Sequence, residues 1–186
     1  MDIILVRHAE AKAGGPGMDD MDRPLTKKGI RDFNSLIPAL NQKTEKYKRI
    51  AVWSSPAARA KETACLLRDS LGLSEIKEFD WIYTGQRDRL KEELKKDGAC
   101  GAVFIVGHEP YLSVWASGLL GQDLPFGKGS MACLEVNENL TPPTYLRWQI
   151  TPIDEPGTLD AGESSETADF SKDVQTALED VSAWYQ

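Results

Sequence analysis

The chain has 186 residues, 41% hydrophobic and 27% charged, with a net charge of -7: enough for one α/β domain with a sizeable core plus an appendage. It has no apolar run of 18 residues, so no membrane span is expected, and no basic stretch ahead of its first apolar run, so no signal peptide is expected either. Residues 154–186 carry nine acids and one base, leaving 1–153 nearly neutral with 20 acids and 21 bases, which argues against the basic patch that nucleic-acid binding requires.

The first element is Asp2 to Val6, a short β-branched run that reads as a buried strand. Thr26 then caps a helix whose apolar face is Ile30, Phe33, Leu36, Ile37 and Leu40. Arg49 to Trp53 is a second strand. Pro56 opens a second helix, with Ala60, Ala64, Leu67 and Leu71 on one face and Gly72 ending it. Glu75 to Phe79 is a weaker strand and Leu90 to Lys96 a third helix. Ala102 to Val106 is another buried strand, followed by a helix from Pro110 to Leu120 that Gly121 stops. Ala132 to Val136 and the alternating Tyr145 to Ile150 complete the series. Strands alternating with helices imply an α/β fold, a three-layer α/β/α sandwich with a mostly parallel central sheet.

Past Pro152 the composition changes. The expected organisation is a domain over 1–153, an acidic, Gly- and Ser-rich linker over 154–168, and an amphipathic helix over 169–186. That helix is read as docking on its own domain, with a partner's groove as the alternative. Cys65, Cys100 and Cys133 stand far apart with no CxxC pair, which fits neither a disulfide framework nor a zinc site and suits the cytoplasm.

The chain contains two histidines, and each directly follows a strand-like run: His8 after Leu5-Val6-Arg7, His108 after Ile105-Val106-Gly107. In parallel sheets, ligands bind at the carboxyl ends of the strands, so both histidines are expected at one rim. Arg7 and Arg59 are expected there too. A guanidinium fork matches phosphoryl oxygens in geometry and charge. Two arginines and two histidines without clustered carboxylates or thiols favour phosphate over metal.

Four segments carry a resemblance. Arg7-His8-Ala9-Glu10 resembles the RHG/RHA signature of the histidine phosphatase superfamily, with its phosphoglycerate mutase-like fold. Arg23-Pro24-Leu25-Thr26 through Gly29 resembles its RPLTxxG segment, Ser55-Pro56 through Ala64 its SPxxRAxxTA motif, and Val106-Gly107-His108-Glu109-Pro110 its VGHxP motif. The order and spacing match over roughly residues 1–150, and the short stretch between Arg59 and His108 is similar to the SixA-type phosphohistidine phosphatases.

The resemblance implies that His8 is the nucleophile and that Arg7, Arg59 and His108 hold the phosphoryl oxygens, with no metal or cofactor. Arg23 is a further candidate for holding substrate. The pattern departs where ester-cleaving members present a carboxylic acid: Trp81 to Asp88 contains no glutamate. The candidate acids are Asp88, which a helix N-terminus would also favour, and Glu109. A weak acid penalises alkoxide leaving groups most, so the expectation leans to phosphohistidine on a protein, such as a phosphorelay component. The alternatives are a phosphomonoesterase acting on a small phosphorylated metabolite and a catalytically idle phosphate-binding module.

Overall fold

A computed structural model describes residues 1–97, 101–137 and 139–153. The chain divides into two units, Met1–Pro152 and Ile153–Gln186. The linker and terminal helix expected over 154–186 lie outside the described residues, as does Cys100. Cys65 and Cys133 are free thiols.

The first unit contains six strands among the described residues: β1 (Asp2–Arg7), β2 (Ile50–Ser54), β3 (Lys77–Glu78), β4 (Ala102–Gly107), β5 (Met131–Glu135) and β6 (Tyr145–Ile150). They form one sheet in the order β3-β2-β4-β1-β5-β6. The pairs from β3 to β1 are parallel, while β5 and β6 are antiparallel additions at the other side. The helices are α1 (Lys27–Asn34), α2 (Ile37–Thr44), α3 (Ala58–Ser70), α4 (Asp80–Tyr83), α5 (Arg87–Asp97) and α6 (Tyr111–Leu120). This is the expected α/β/α arrangement, with a mixed sheet.

The period of two along each strand sorts the side chains into two cores. Ile3, Leu5, Trp53, Val103, Ile105 and Leu134 face one layer, where Trp81, Ile82, Leu90, Leu112 and Trp115 cover them. Ile4, Val6, Val52, Phe104, Val106 and Cys133 face the other, under Phe33, Leu40, Ala60, Ala64 and Leu67. On α6 the buried residues Leu112, Trp115, Ala116 and Leu119 fall at helical spacing, which is why this segment lies flat on the sheet. Gly121, at φ 71°, ends it in a left-handed conformation that a side chain would disfavour.

Three sequence expectations are corrected. The helix capped by Thr26 does start there, its hydroxyl accepting the Gly29 N–H at 2.9 Å. It breaks after Asn34, however, and a second helix begins at Ile37. Pro38 is the cause: it has no N–H to continue the ladder and is tolerated only in a first turn. Pro56 does not lie in the first turn of the next helix, since Ala57 is the N-cap and Ala58 the first residue. An unexpected short helix, α4, follows Phe79, in a segment too brief to show a helical period.

Candidate active site

Strand register places the two histidines side by side. Arg7 pairs with Gly107 across β1 and β4, and Ser54 pairs with Val106 across β2 and β4. The residues one step beyond are His8, His108 and Ser55, and the ladder bonds continue into them: His8 N–H donates to Gly107 O at 3.1 Å and Ser55 N–H to Val106 O at 3.0 Å. Parallel strands end on the same side, so all three side chains emerge at one rim. The ring centroids of His8 and His108 are 5.2 Å apart.

The loop after β1 is held close to α1. A Cβ on Gly29 would stand 2.3 Å from Glu10 O, so only glycine lets the helix approach this loop. Ala9 N–H donates to the Thr63 hydroxyl at 3.1 Å, and that hydroxyl donates to Arg59 O at 2.7 Å, linking the loop to α3.

His8 Nδ1 lies 2.7 Å from Ala9 O. A carbonyl oxygen only accepts, so the proton belongs on Nδ1 and the lone pair on Nε2. Burial depresses the His8 pKa to about 4; the Ala9 carbonyl opposes this, and Arg59, Arg7 and Arg23 add to it. Its imidazole is therefore neutral at ordinary pH, with Nε2 available as a nucleophile.

His108 is buried, and its Nε2 lies 2.7 Å from Ser55 Oγ. Burial, then His8 and Arg59, push its pKa down to about 3. Ser55 Oγ also accepts the Ala57 N–H at 3.3 Å; when its own proton goes to His108 Nε2, the imidazole hydrogen sits on Nδ1. The Tyr83 ring meets His108 edge-on at 5.4 Å.

Arg7 donates to Phe126 O at 2.8 Å. Arg59 is 5% exposed, and its terminal nitrogens donate to Asp20 O at 2.6 Å and Asp20 Oδ2 at 2.9 Å. Arg7 Nε, Arg59 Nε and His108 Nδ1 are buried without a hydrogen-bond partner. Buried polar atoms are usually paired in folded proteins, so these three neighbouring nitrogens are donors whose capacity the protein itself leaves unused.

Of the remaining sequence candidates, Arg23 is tied to Asp20 at 2.8 Å and to Lys12 O at 3.0 Å. Asp88 is exposed in the first turn of α5. Both carboxyl oxygens of Glu109 are buried; burial raises its pKa, opposed by hydrogen bonding to Ser113 and by the charge of Arg7. Ser55, Tyr83 and Asp20 are additions to the sequence reading. Ser55 was recoverable from its place at the end of β2, whereas Tyr83 and Asp20 reach the site only through tertiary contacts. Among the described residues, no group of three His, Cys, Asp or Glu side chains is placed to hold a metal.

Residues 3–82 match the histidine phosphatase superfamily (branch 1). That match covers three of the four motif segments, and the superfamily recognised from them stands. The coarse reading that this match supports is a phosphatase of that superfamily. No curated protein matches the chain.

Solved structures share the fold. One is the protein histidine phosphatase SixA complexed with tungstate, 22% identical, with a TM-score of 0.69 over 82% of this chain and 97% of that one. A putative phosphohistidine phosphatase SixA from Agrobacterium tumefaciens is 22% identical, with a TM-score of 0.69 over 81% and 97%. A putative alpha-ribazole-5'-P phosphatase from Escherichia coli is 19% identical, with a TM-score of 0.59 over 79% and 95%. No helix among the described residues is long and apolar enough to cross a membrane.

The two depressed histidines carry a consequence for stability. In the unfolded chain each takes up a proton near its ordinary pKa of 6.5, whereas the folded protein does so only near 4 and 3. The unfolded state therefore binds more protons across this window, and stability falls as pH drops from 6.5 towards 4. Melting temperatures between pH 7 and pH 4 are expected to decline, with a shallower decline in His108→Gln, which lacks one of the two titrations. An identical pH slope in the variant would contradict this.

Proposed function

We propose that the chain hydrolyses phosphohistidine on a protein, such as a phosphorelay component, through a phosphoryl intermediate on His8 and without a metal. The observation that carries this is the neutral His8, its Nε2 lone pair free, beside the unpartnered Arg7 Nε, Arg59 Nε and His108 Nδ1. Three donors without acceptors suit the non-bridging oxygens of a phosphoryl group. Their charge and hydrogen bonds would stabilise the equatorial oxygens in the transition state.

In the first step His8 Nε2 forms a bond to phosphorus as the bond to the substrate's imidazole breaks; that ring, protonated on its other nitrogen, takes back the bonding pair and leaves as neutral imidazole. Water oxygen then attacks phosphorus, the N–P bond breaks, and inorganic phosphate leaves with His8 restored. Arg7, Arg59 and His108 hold the oxygens throughout, and Ser55 fixes the His108 ring.

The choice of a phosphoramidate rests on the acid. Asp20 is the carboxylate in contact with Arg59, and its hydrogen bonds and charge pairing with Arg59 and Arg23 outweigh desolvation and keep its pKa low. A carboxylate held ionised has no proton to give an alkoxide, whereas a phosphohistidine already protonated on its other ring nitrogen releases neutral imidazole without one from the site. The similarity in fold to SixA structures agrees with this choice.

One observation favours the metabolite alternative. The half-buried Glu109 has its pKa raised by burial, the direction that suits a general acid. The alpha-ribazole-5'-P phosphatase likeness points the same way.

The test is phosphate release from a phosphohistidine peptide and from p-nitrophenyl phosphate, without added metal, for wild type and Glu109→Gln. The phosphohistidine reading expects kcat/KM on the peptide to exceed the ester by at least ~10²-fold, with little change in Glu109→Gln. Ester turnover equal to or above peptide turnover, and lost in Glu109→Gln, would establish the phosphomonoesterase instead.

A further inference from the structure

Asp20 sits in a 3-10 turn, Asp20–Asp22, within a loop closed at its base. Ala11 and Leu25 form an isolated antiparallel bridge. Lys12 N–H donates to Pro24 O at 2.9 Å, and Leu25 N–H donates to the Glu62 carboxylate at 2.8 Å. Between these anchors, residues 12–20 are exposed. Gly15 and Gly17 have nothing within 4 Å of where a Cβ would stand, so the first limb of the loop is unsupported at both points.

Asp20 ties the other limb to the site. Its carbonyl oxygen and Oδ2 accept from the two terminal nitrogens of Arg59, at 2.6 and 2.9 Å. Its Oδ1 accepts from Arg23 Nε at 2.8 Å. Two oxygens of one residue thus cover the edge of the Arg59 guanidinium that pairs in bidentate fashion with two oxygens of a phosphoryl group.

We propose that Asp20 is an internal competitor for the phosphoryl group at Arg59, and that binding exchanges the Asp20 contacts for phosphoryl oxygens. The inference rests on the phosphatase reading and adds to it a specificity-determining residue. The competitor carries one negative charge. A terminal phosphoryl dianion brings twice that charge to the same guanidinium and displaces it. A singly charged oxyanion, such as a phosphodiester, meets an equal rival already in place and tethered to the chain. Asp20 therefore selects terminal phosphoryl groups over diesters, in a way that does not depend on the leaving group.

The test measures binding of inorganic phosphate and of dimethyl phosphate at pH 8 by titration calorimetry. The full chain is compared with Asp20→Asn, Asp20→Ala, Asp22→Asn and Arg59→Ala, all checked by melting curves. Removing a charge-assisted competitor is expected to tighten phosphate binding ~10-fold in both Asp20 variants and to bring dimethyl phosphate into measurable range. Asp22→Asn removes the same charge from the same turn, and there the change is expected to stay under ~2-fold.

Phosphate binding that is unchanged or weaker in both Asp20 variants, while Arg59→Ala abolishes it, would overturn the inference and make Asp20 a residue that positions Arg59. Phosphate binding that survives intact in Arg59→Ala would instead overturn the phosphatase reading of this site, and the inference with it.

Discussion

Replacing His8 by alanine is expected to reduce phosphate release by at least ~10⁴-fold, with the fold and melting temperature retained. The size follows from the lack of a substitute. Attack on phosphorus needs a lone pair at the rim, and His8 Nε2 has one because Nδ1–H is committed to Ala9 O. Ser55 is hydrogen-bonded to His108 and superficially resembles a Ser–His nucleophile pair, but its Oγ is committed to His108 Nε2 and to the Ala57 N–H. His108 faces the same rim, yet its Nε2 is taken by Ser55. The decisive measurement is an alkali-quenched turnover in which wild type traps a base-stable, acid-labile phosphoryl group and His8→Ala traps none. Turnover in the variant within ~10-fold of wild type would move the nucleophile elsewhere.

Arg59→Lys is expected to lower kcat/KM by ~10²–10³-fold despite keeping the charge. The Arg59 guanidinium is buried and presents two terminal nitrogens in one plane, with Nε as a third donor. A lysine ammonium is a single point with different reach, and it cannot hold two oxygens in a fixed fork. It also leaves Asp20 paired with Arg23 alone, which changes how the loop sits over the rim. The loss should fall on both kcat and KM, because the same contacts serve ground-state binding and the transition state. A kcat/KM within ~3-fold of wild type would show that charge alone suffices and that the bidentate geometry is incidental.

The core of the fold was legible because its strands are short runs of β-branched and aliphatic residues, and the sheet sorts them by a period of two. Helices α3 and α6 were legible for the equivalent reason at a period near 3.6. The break between α1 and α2 was written in Pro38 but masked by an apolar face continuing through Leu36, Ile37 and Leu40. The four-residue helix α4 could not be seen at all, since one turn carries no periodicity. The antiparallel joining of β5 is equally invisible, because a buried strand reads the same in either direction.

At the site, the sequence by itself determined which groups meet. His8 and His108 each follow a buried parallel strand by one residue, and the register of parallel strands leaves them no other rim. Arg7 and Arg59 follow from the same logic, one at the end of β1 and one in the first turn of α3. Tertiary structure alone decided what state those groups are in. The depressed pKa values of both histidines come first from burial, which no local pattern encodes. Tyr83 against His108 and Asp20 across Arg59 depend on a one-turn helix and on a loop folded back over the rim, contacts made across 25 and 39 residues of chain. Sequence spacing specifies neighbours along a strand or helix; it carries no record of which exposed loop returns to cover a buried guanidinium.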